Sequence, residues 1–192
     1  MANTTRPLTQ NEFEYIYNEF EYRNDTRMMI IVGLMAQCLR IGDILSLSIK
    51  DMYTPNGIPR DKFDIVEGKT KKLRTVFIGE KMQQLLITHY PTIKNKKGGY
   101  MFYSTKRPQA PLTQQGVRFI LSYFTDSARG QNQIEQVSPH SFRKYGARKM
   151  YENGTPVGTI CKYLNHSSES VTYRYICITP QDIQQAVQCL VF

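Results

Sequence analysis

The segment Cys38–Leu47 contains two charged residues inside an otherwise apolar helical pattern. Arg40 and Asp43 are three residues apart, so a helix would place both side chains on the same face. A guanidinium surrounded by leucine and isoleucine side chains costs free energy unless a carboxylate pairs with it or an anion binds it. The segment therefore indicates either a partly exposed ion pair or an arginine that is presented to an anionic ligand.

A second charged pair, His140 and Arg143, has the same spacing at the start of a predicted helix. The first turn of a helix has free N–H groups and the positive end of the helix dipole, and both attract anions. An imidazole and a guanidinium at this position are suited to bind a phosphate. The alternative is that both side chains lie on the surface and bind nothing.

A third segment, Leu164–Ile176, combines a histidine with tyrosines. His166 directly follows an apolar helical pattern, and Tyr173 and Tyr175 lie in a short polar stretch before a predicted last helix. A tyrosine hydroxyl, with a reference pKa of about 10, becomes a nucleophile only when neighbouring groups help to remove its proton. The chain has 13 tyrosines, so no local feature distinguishes Tyr175 from a tyrosine with a packing role.

The segment Glu67–Arg74 is a basic connection between two predicted strands, Phe63–Val66 and Thr75–Ile78. Its residues Gly68-Lys69-Thr70 are similar to the end of a nucleotide-binding P-loop. The glycine that this motif requires five residues before Gly68 is replaced by Phe63, so the sequence argues against a nucleotide site. The connection instead indicates a basic hairpin tip.

The order and spacing of these four segments resemble the tyrosine recombinase, or phage integrase, family. The family motif Gly-Leu-Arg-x-x-Glu-x-x-x-Leu is similar to Cys38–Leu47, and its hairpin motif Gly-Lys-Gly-x-Lys-x-Arg-x-Val is similar to Gly68–Val76. The motif His-x-Leu-Arg-His-x-Phe-Ala is similar to His140–Ala147, and Leu-Gly-His-x-Ser-x-x-Thr-x-x-Tyr is similar to Leu164–Tyr175. Each motif alone is weak, but all four occur in the family's order. The resemblance extends from about Leu8 to Phe192.

A few positions depart from the family pattern. Cys38 and Asn165 replace glycines, Asp43 stands where glutamate is commoner, and Lys144 stands where a histidine usually follows the arginine. None of these changes removes a catalytic group.

The resemblance implies a reaction at a DNA phosphodiester. Its pentavalent transition state accumulates negative charge on the non-bridging oxygens, so cationic groups must surround it. The resemblance assigns this task to Arg40 and Arg143, because a guanidinium can donate two parallel hydrogen bonds to phosphate. Tyr175 would attack the phosphorus and form a 3′-phosphotyrosyl bond, while Lys69 would protonate the leaving 5′-hydroxyl.

The remaining roles follow from the same resemblance. His166 would donate a hydrogen bond to a phosphate oxygen, and His140 is a candidate to receive the tyrosine proton. Asp43 would orient Arg40 or His140 from behind. Lys71 and Lys72 are alternative acids, and further DNA contacts are expected at the hairpin residues Lys71, Lys72 and Arg74. Because the sequence has no carboxylate cluster suited to magnesium, neither a metal nor a cofactor is expected.

The formal net charge of +9 and the isoelectric point near 9.4 favour an acidic partner. The resemblance implies double-stranded DNA, a homo-tetramer that forms on two duplexes from monomers, and accessory DNA-bending proteins as further partners. Integration or excision of a mobile element is the first hypothesis for the function, and DNA inversion is the second. Two other functions stay open: DNA relaxation of the type IB topoisomerase kind and a non-catalytic DNA-binding module.

The elements that must position these residues are mostly helices. The sequence predicts a mainly α fold with one small antiparallel β-sheet (α+β), which the resemblance identifies as the recombinase catalytic-domain fold. Thr9 and Glu12 form a capping-box pattern that starts a first helix. The predicted helices span about 8–22, 27–39, 43–47, 80–89, a stretch after Thr113, 140–152, 157–164 and a last one from Thr179.

The length of 192 residues suits a single domain. We expect a catalytic core over about 8–176 and a C-terminal helix over 177–192, with no N-terminal DNA-clamping domain in this chain. The apolar stripe of that helix fits either its own core or, as the resemblance implies, docking on a neighbouring protomer; it comprises Ile183, Ala186, Val187 and Leu190.

The four cysteines lack the spacing of a metal site, and we expect them to be reduced thiols. The sequence contains neither a secretory signal pattern nor an apolar run long enough to cross a bilayer. We therefore expect a cytoplasmic protein without membrane partners.

Overall fold

The structure, a computed structural model, describes residues 5–125 and 134–178 together with 182, 184, 187 and 188. In this part of the chain, helices predominate and two strands form an antiparallel sheet, as predicted. The elements in chain order are α1 Gln10–Tyr22, α2 Thr26–Ala36, α3 Ile41–Leu45, α4 Ile49–Met52, β1 Lys62–Val66, β2 Leu73–Phe77, α5 Glu80–Ile93, α6 Gln114–Leu121 with a 3₁₀ turn Ser122–Phe124, α7 Pro139–Glu152, α8 Val157–Leu164 and α9 Glu169–Ile176.

Capping side chains fix where the helices start. Thr9 and Glu12 form the predicted capping box of α1, and the Asp25 carboxylate accepts a hydrogen bond from the first turn of α2. Ser138 caps α7, with Pro139 at the first helical position, where its missing N–H costs nothing. The start of α7 determines the position of the predicted His140–Arg143 pair.

Helix α2 forms the centre of the core. Its side chains are apolar on nearly every side, and it packs against α1, α5 and α7. Met28, Ile30, Ile31 and Leu34 are completely buried. An apolar surface around the whole helix predicts this central position, because each face needs another element to cover it.

The two strands alternate between a buried and an exposed face. Phe63 pairs with Val76 and Ile65 pairs with Arg74, and all four side chains point inward. Glu67, one step beyond β1, continues the inward series. The covered face of the sheet therefore carries one acidic and one basic side chain beside its apolar residues.

Several elements differ from the sequence prediction; for example, α2 ends at Ala36 and not at Leu39. The short helix α4 was not predicted, and α5 continues through Pro91 to Ile93, four residues beyond the predicted end. Tyr173 and Tyr175 were expected in a polar stretch outside helices, but they lie on α9. Thr172 and Ile176, four residues apart, are buried and hold α9 against the core, which explains why a short polar segment is helical. The predicted last helix falls mostly outside the described residues.

Within the described residues, every helix is too short or too polar to cross a membrane.

The contact between α2 and α7 requires a glycine at position 146. A Cβ atom at this position would lie 1.7 Å from the carbonyl oxygen of Ala36, at the end of α2. Only hydrogen fits there, and the close approach brings Arg143, one turn earlier on α7, to the chain that follows α2.

We predict that Gly146→Ala lowers the free energy of unfolding by about 1–3 kcal/mol, because the methyl group overpacks a backbone contact. The loss should occur although alanine favours a helix by about 1 kcal/mol over glycine. Urea denaturation would measure it. Gly79→Ala is the control, since a Cβ there meets no atom within 4 Å, and its effect should stay below about 1 kcal/mol. Equal losses in both variants would contradict the packing argument.

Candidate active site

A cleft of about 680 Å³ lies between the hairpin tip, α3, the start of α6 and the start of α7. Five of the predicted site residues line it: Arg40, Asp43, Lys69, His140 and Arg143. Segments that are more than a hundred residues apart in sequence, such as those of Arg40 and Arg143, thus meet at one surface. Gln114 and Arg118 of α6 also line the cleft, although the sequence analysis did not select them.

Arg143 ties three parts of the chain together. Its side chain is buried, and its Nη1 donates a hydrogen bond to the carbonyl oxygen of Cys38. Its Nη2 lies 3.3 Å from the carbonyl oxygen of Leu164. The guanidinium therefore joins α7 to the turn after α2 and to the end of α8, two residues before His166.

The backbone conformation at Cys38 and Asn165 explains why the family prefers glycine at these two positions. Cys38 has a φ of +64° and Asn165 a φ of +57°, both in the left-handed region that glycine adopts without strain. The turn at Cys38 presents its carbonyl oxygen to Arg143, and the turn at Asn165 ends α8 before His166. Asparagine tolerates this conformation better than most residues, whereas cysteine has no such advantage.

Arg40 has a partner that the sequence analysis missed. Its Nη1 lies 2.7 Å from Oε2 of Glu67, a completely buried carboxylate, and 3.8 Å from Oδ2 of Asp43. Asp43 Oδ1 instead accepts a hydrogen bond of 2.9 Å from the amide of Gly68, beside Lys69. Asp43 thus contacts Arg40 only at the longer distance and also fixes the hairpin tip. The signal for Glu67 was present in the sequence, because the inward alternation of Phe63 and Ile65 continues to position 67.

The structure does not place Arg74 where a DNA contact was expected. The side chain is buried, and its guanidinium donates hydrogen bonds of 2.9 Å to Cys38 and 2.8 Å to Gln37 carbonyl oxygens. Its charge also lies 4.0 Å from the ring centre of Tyr163. Arg74 supports the Cys38 turn, and its burial shows that the predicted DNA contact at this residue is wrong.

The hairpin lysines are exposed. Lys69 lies at the tip and lines the cleft, whereas Lys71 and Lys72 follow on the way to β2. The neighbouring Thr70 donates a hydrogen bond of 2.6 Å to Oε2 of Glu67. The tip is therefore anchored on both sides of Lys69, by Gly68 to Asp43 and by Thr70 to Glu67.

Both site histidines have lowered pKa values. Partial burial lowers the pKa of His140, and the positive charges of Arg143, Lys144, Arg40 and Lys69 lower it further. The pKa of His166 is lowered by burial and by the positive charges of Arg143 and Arg40, while the negative charge of Glu67 opposes this shift. At neutral pH the imidazoles are thus biased towards the neutral form, which can accept a proton.

Thr172 orients His166. Its hydroxyl lies 3.0 Å from Nδ1 of His166, which leaves Nε2 as the ring nitrogen for an external ligand. Thr172 is completely buried and belongs to the last family motif, and this motif was the only sequence signal for its role.

Tyr175 packs its ring edge-on against His166, with 4.9 Å between the ring centres. Its hydroxyl is buried and makes no hydrogen bond of normal geometry within the described part of the chain. Burial raises the pKa of Tyr175 to about 12, although the nearby charge of Arg143 opposes the shift. The hydroxyl therefore stays protonated in the DNA-free protein. The ring of Tyr175 also lies 5.5 Å from Nζ of Lys144.

Among the described residues, no group of three or more histidine, cysteine, aspartate or glutamate side chains could hold a metal ion. Among the described residues, the positively charged side chains that line the cleft are Arg40, Lys69, Arg118 and Arg143.

The model of the phage integrase family matches residues 6–182, so the chain belongs to this family. The probable integrase/recombinase YoeC of Bacillus subtilis is 28% identical over 165 residues, which cover 86% of this chain and 82% of YoeC. Tyrosine recombinase XerC of Treponema denticola is 27% identical over 171 residues, which cover 81% of this chain and 52% of XerC. The chain thus spans about half the length of XerC.

The fold agrees with this membership. A crystal structure of the XerH site-specific recombinase, bound to a palindromic difH substrate in a post-cleavage complex, superposes with a TM-score of 0.72 at 19% identity. The match covers 98% of this chain and 54% of XerH. The predicted recombinase catalytic-domain fold is confirmed.

We predict opposite effects on stability when two tyrosines lose their hydroxyls. Tyr175→Phe removes a buried hydroxyl that makes no hydrogen bond of normal geometry to the described residues, and it should leave the free energy of unfolding unchanged or raise it by up to about 1 kcal/mol. Tyr163→Phe breaks a hydrogen bond of 2.8 Å to the Gln37 carbonyl oxygen and should lower it by about 1 kcal/mol. Urea denaturation of both variants measures the difference, and similar losses in the two would show that the Tyr175 hydroxyl has a partner.

Proposed function

We propose that the chain is the catalytic domain of a site-specific recombinase that cuts and rejoins DNA through Tyr175. The observation that carries the proposal is the meeting of Arg40, Arg143, His140 and Lys69 at one cleft, with Tyr175 beside Arg143. Family membership supports the reaction class. Integration or excision of a mobile element remains the first hypothesis, and DNA inversion is the second.

The arrangement suits phosphoryl transfer without a metal. With a phosphodiester in the cleft, Arg40 and Arg143 would donate to its non-bridging oxygens, and His166 would donate from Nε2. The Tyr175 oxygen would bond to phosphorus as the bond from phosphorus to the 5′-oxygen breaks. The tyrosine proton would pass to His140, and Lys69 would give a proton to the leaving 5′-oxygen. The phosphotyrosyl linkage is itself a phosphodiester and conserves the energy of the broken bond. In the reverse reaction a 5′-hydroxyl would therefore attack it and rejoin the strand without ATP.

Double-stranded DNA is the proposed substrate. The net charge of +9 and the exposed lysines of the hairpin favour a polyanion, and Lys71 and Lys72 are proposed backbone contacts. The DNA complex of XerH, a protein with the same fold, supports the same choice. We also propose that the protein assembles as a tetramer on two DNA duplexes and that each C-terminal segment docks on a neighbouring protomer. This assembly would form in the cytoplasm, where the DNA substrate lies.

We predict a covalent protein–DNA adduct on a nicked suicide substrate that carries the recombination site. The nick lets the cleaved fragment leave, so the phosphotyrosine accumulates and survives denaturation. Tyr175→Phe should abolish the adduct in a gel assay, whereas Tyr173→Phe, two residues earlier on the exposed side of α9, should retain it. EDTA should have no effect.

Other results would support other functions. Salt-dependent binding without any adduct would favour the non-catalytic DNA-binding module. An adduct together with relaxation of supercoiled DNA, but without exchange between two sites, would favour a topoisomerase.

We predict that a positive charge at positions 40 and 143 is not sufficient for cleavage and that guanidinium groups are required. Arg40→Lys and Arg143→Lys should each slow single-turnover cleavage by about 10²–10³-fold, because lysine cannot donate in a bidentate manner to phosphate. DNA affinity at low salt should change little, since the net charge is kept. Arg23→Lys, which alters a surface pair with Glu19, is the control. Normal cleavage by both site variants would refute the assignment of the two arginines.

A further inference from the structure

One buried carboxylate contacts four side chains that come from three of the segments that form the site. Glu67 is only 1% exposed, and its oxygens lie 2.7 Å from Nη1 of Arg40 and 3.7 Å from Nη1 of Arg74. The same carboxylate accepts hydrogen bonds of 2.6 Å from Thr70 and 3.2 Å from the side-chain amide of Asn165.

Three of these four contacts lie at a proposed catalytic group or next to one in the chain. Arg40 is itself a proposed phosphate ligand, and Thr70 directly follows Lys69. Asn165 directly precedes His166. Because one carboxylate holds all three neighbours, a change in its position would displace the phosphate ligand, the acid and the histidine together.

The charge of Glu67 is maintained inside the protein. Burial alone would raise the pKa of its carboxyl, but the hydrogen bond from Thr70, the paired Arg40 and the amide of Asn165 together hold it below its usual value. An ionised carboxylate with this many donors has a single well-defined position.

We propose that Glu67 is a positioning residue that fixes the hairpin lysine relative to the phosphate-binding Arg40. This inference rests on the proposed function, in which Lys69 gives its proton to the 5′-oxygen. Glu67 touches neither DNA nor the reacting atoms. It sets the distance between the group that binds the phosphate and the group that protonates the leaving oxygen, a distance on which proton transfer depends steeply.

Two contacts distinguish this role from a general effect on stability. The contact with Thr70 would position Lys69 alone, whereas the contact with Arg40 would position the group that binds the phosphate. A substrate in which sulfur replaces the bridging 5′-oxygen distinguishes the two roles, because a thiolate leaves without being protonated and needs no general acid. A defect in placing Lys69 should therefore vanish on the sulfur substrate, and a defect in placing Arg40 should remain.

The experiment measures single-turnover adduct formation on matched oxygen and sulfur suicide substrates. Glu67→Gln should cleave the oxygen substrate about tenfold to a hundredfold more slowly than the unmodified protein, with a clearly smaller defect on the sulfur substrate. Thr70→Val should be slow on the oxygen substrate and normal on the sulfur substrate. Asp64→Asn is the control, because it removes one carboxylate from the exposed face of β1 and should leave both rates unchanged.

Three results would overturn the inference. Normal cleavage of the oxygen substrate by a folded Glu67→Gln variant would show that the carboxylate positions nothing. Equal slowing of Glu67→Gln and Thr70→Val on both substrates would show a general structural role. No adduct from the unmodified protein and from Asp64→Asn would refute the proposed function and the inference together. Should Glu67→Gln fail to fold by circular dichroism, Thr70→Val alone tests the inference: slow cleavage of the oxygen substrate only supports it, and normal cleavage or equal slowing on both substrates overturns it.

Discussion

Repulsion among three guanidinium groups is the constraint on which the site depends. Arg74 and Arg143 donate to the same carbonyl oxygen, that of Cys38, so their positive charges lie side by side inside the protein. Arg40 joins them through Glu67, which lies within ion-pair distance of Arg40 and Arg74. Like charges in a partly buried setting are costly unless carboxylates and carbonyl oxygens surround them. The compensation is incomplete, and the remaining positive charge is what a phosphate would neutralise.

The backbone supplies part of this compensation at a conformational cost. The Cys38 carbonyl is available to two arginines only because the chain turns through a left-handed conformation at that residue. Such a conformation costs about 1 kcal/mol or more for a residue with a side chain. The close approach of α2 and α7 at Gly146 holds the turn against Arg143. Packing of the core thus stabilises a geometry that the local sequence alone would not favour.

Much of the fold and of the site could be predicted from the sequence, and the failures at the site have two causes. Capping residues and apolar periodicity predict the main helices, and the family motifs predict five residues that line the cleft but not Gln114 or Arg118. A basic hairpin tip predicts an exposed Arg74 and no role for Glu67, whereas strand alternation points both side chains inward. The partner of Asp43 could not be predicted, because its contact with Gly68 joins segments 25 residues apart and depends on how the hairpin docks.

The electrostatics of the site also bear on how the nucleophile would be activated. Burial keeps Tyr175 protonated, and burial together with neighbouring cations keeps the pKa of His140 low, so the DNA-free protein holds neither a phenolate nor a strong base. A bound phosphate would offset the charges of Arg40 and Arg143 that lower the pKa of His140. On the proposed mechanism, the substrate would thus strengthen the base beside it. Proton removal from Tyr175 would become favourable only when the phosphate that it attacks is in place.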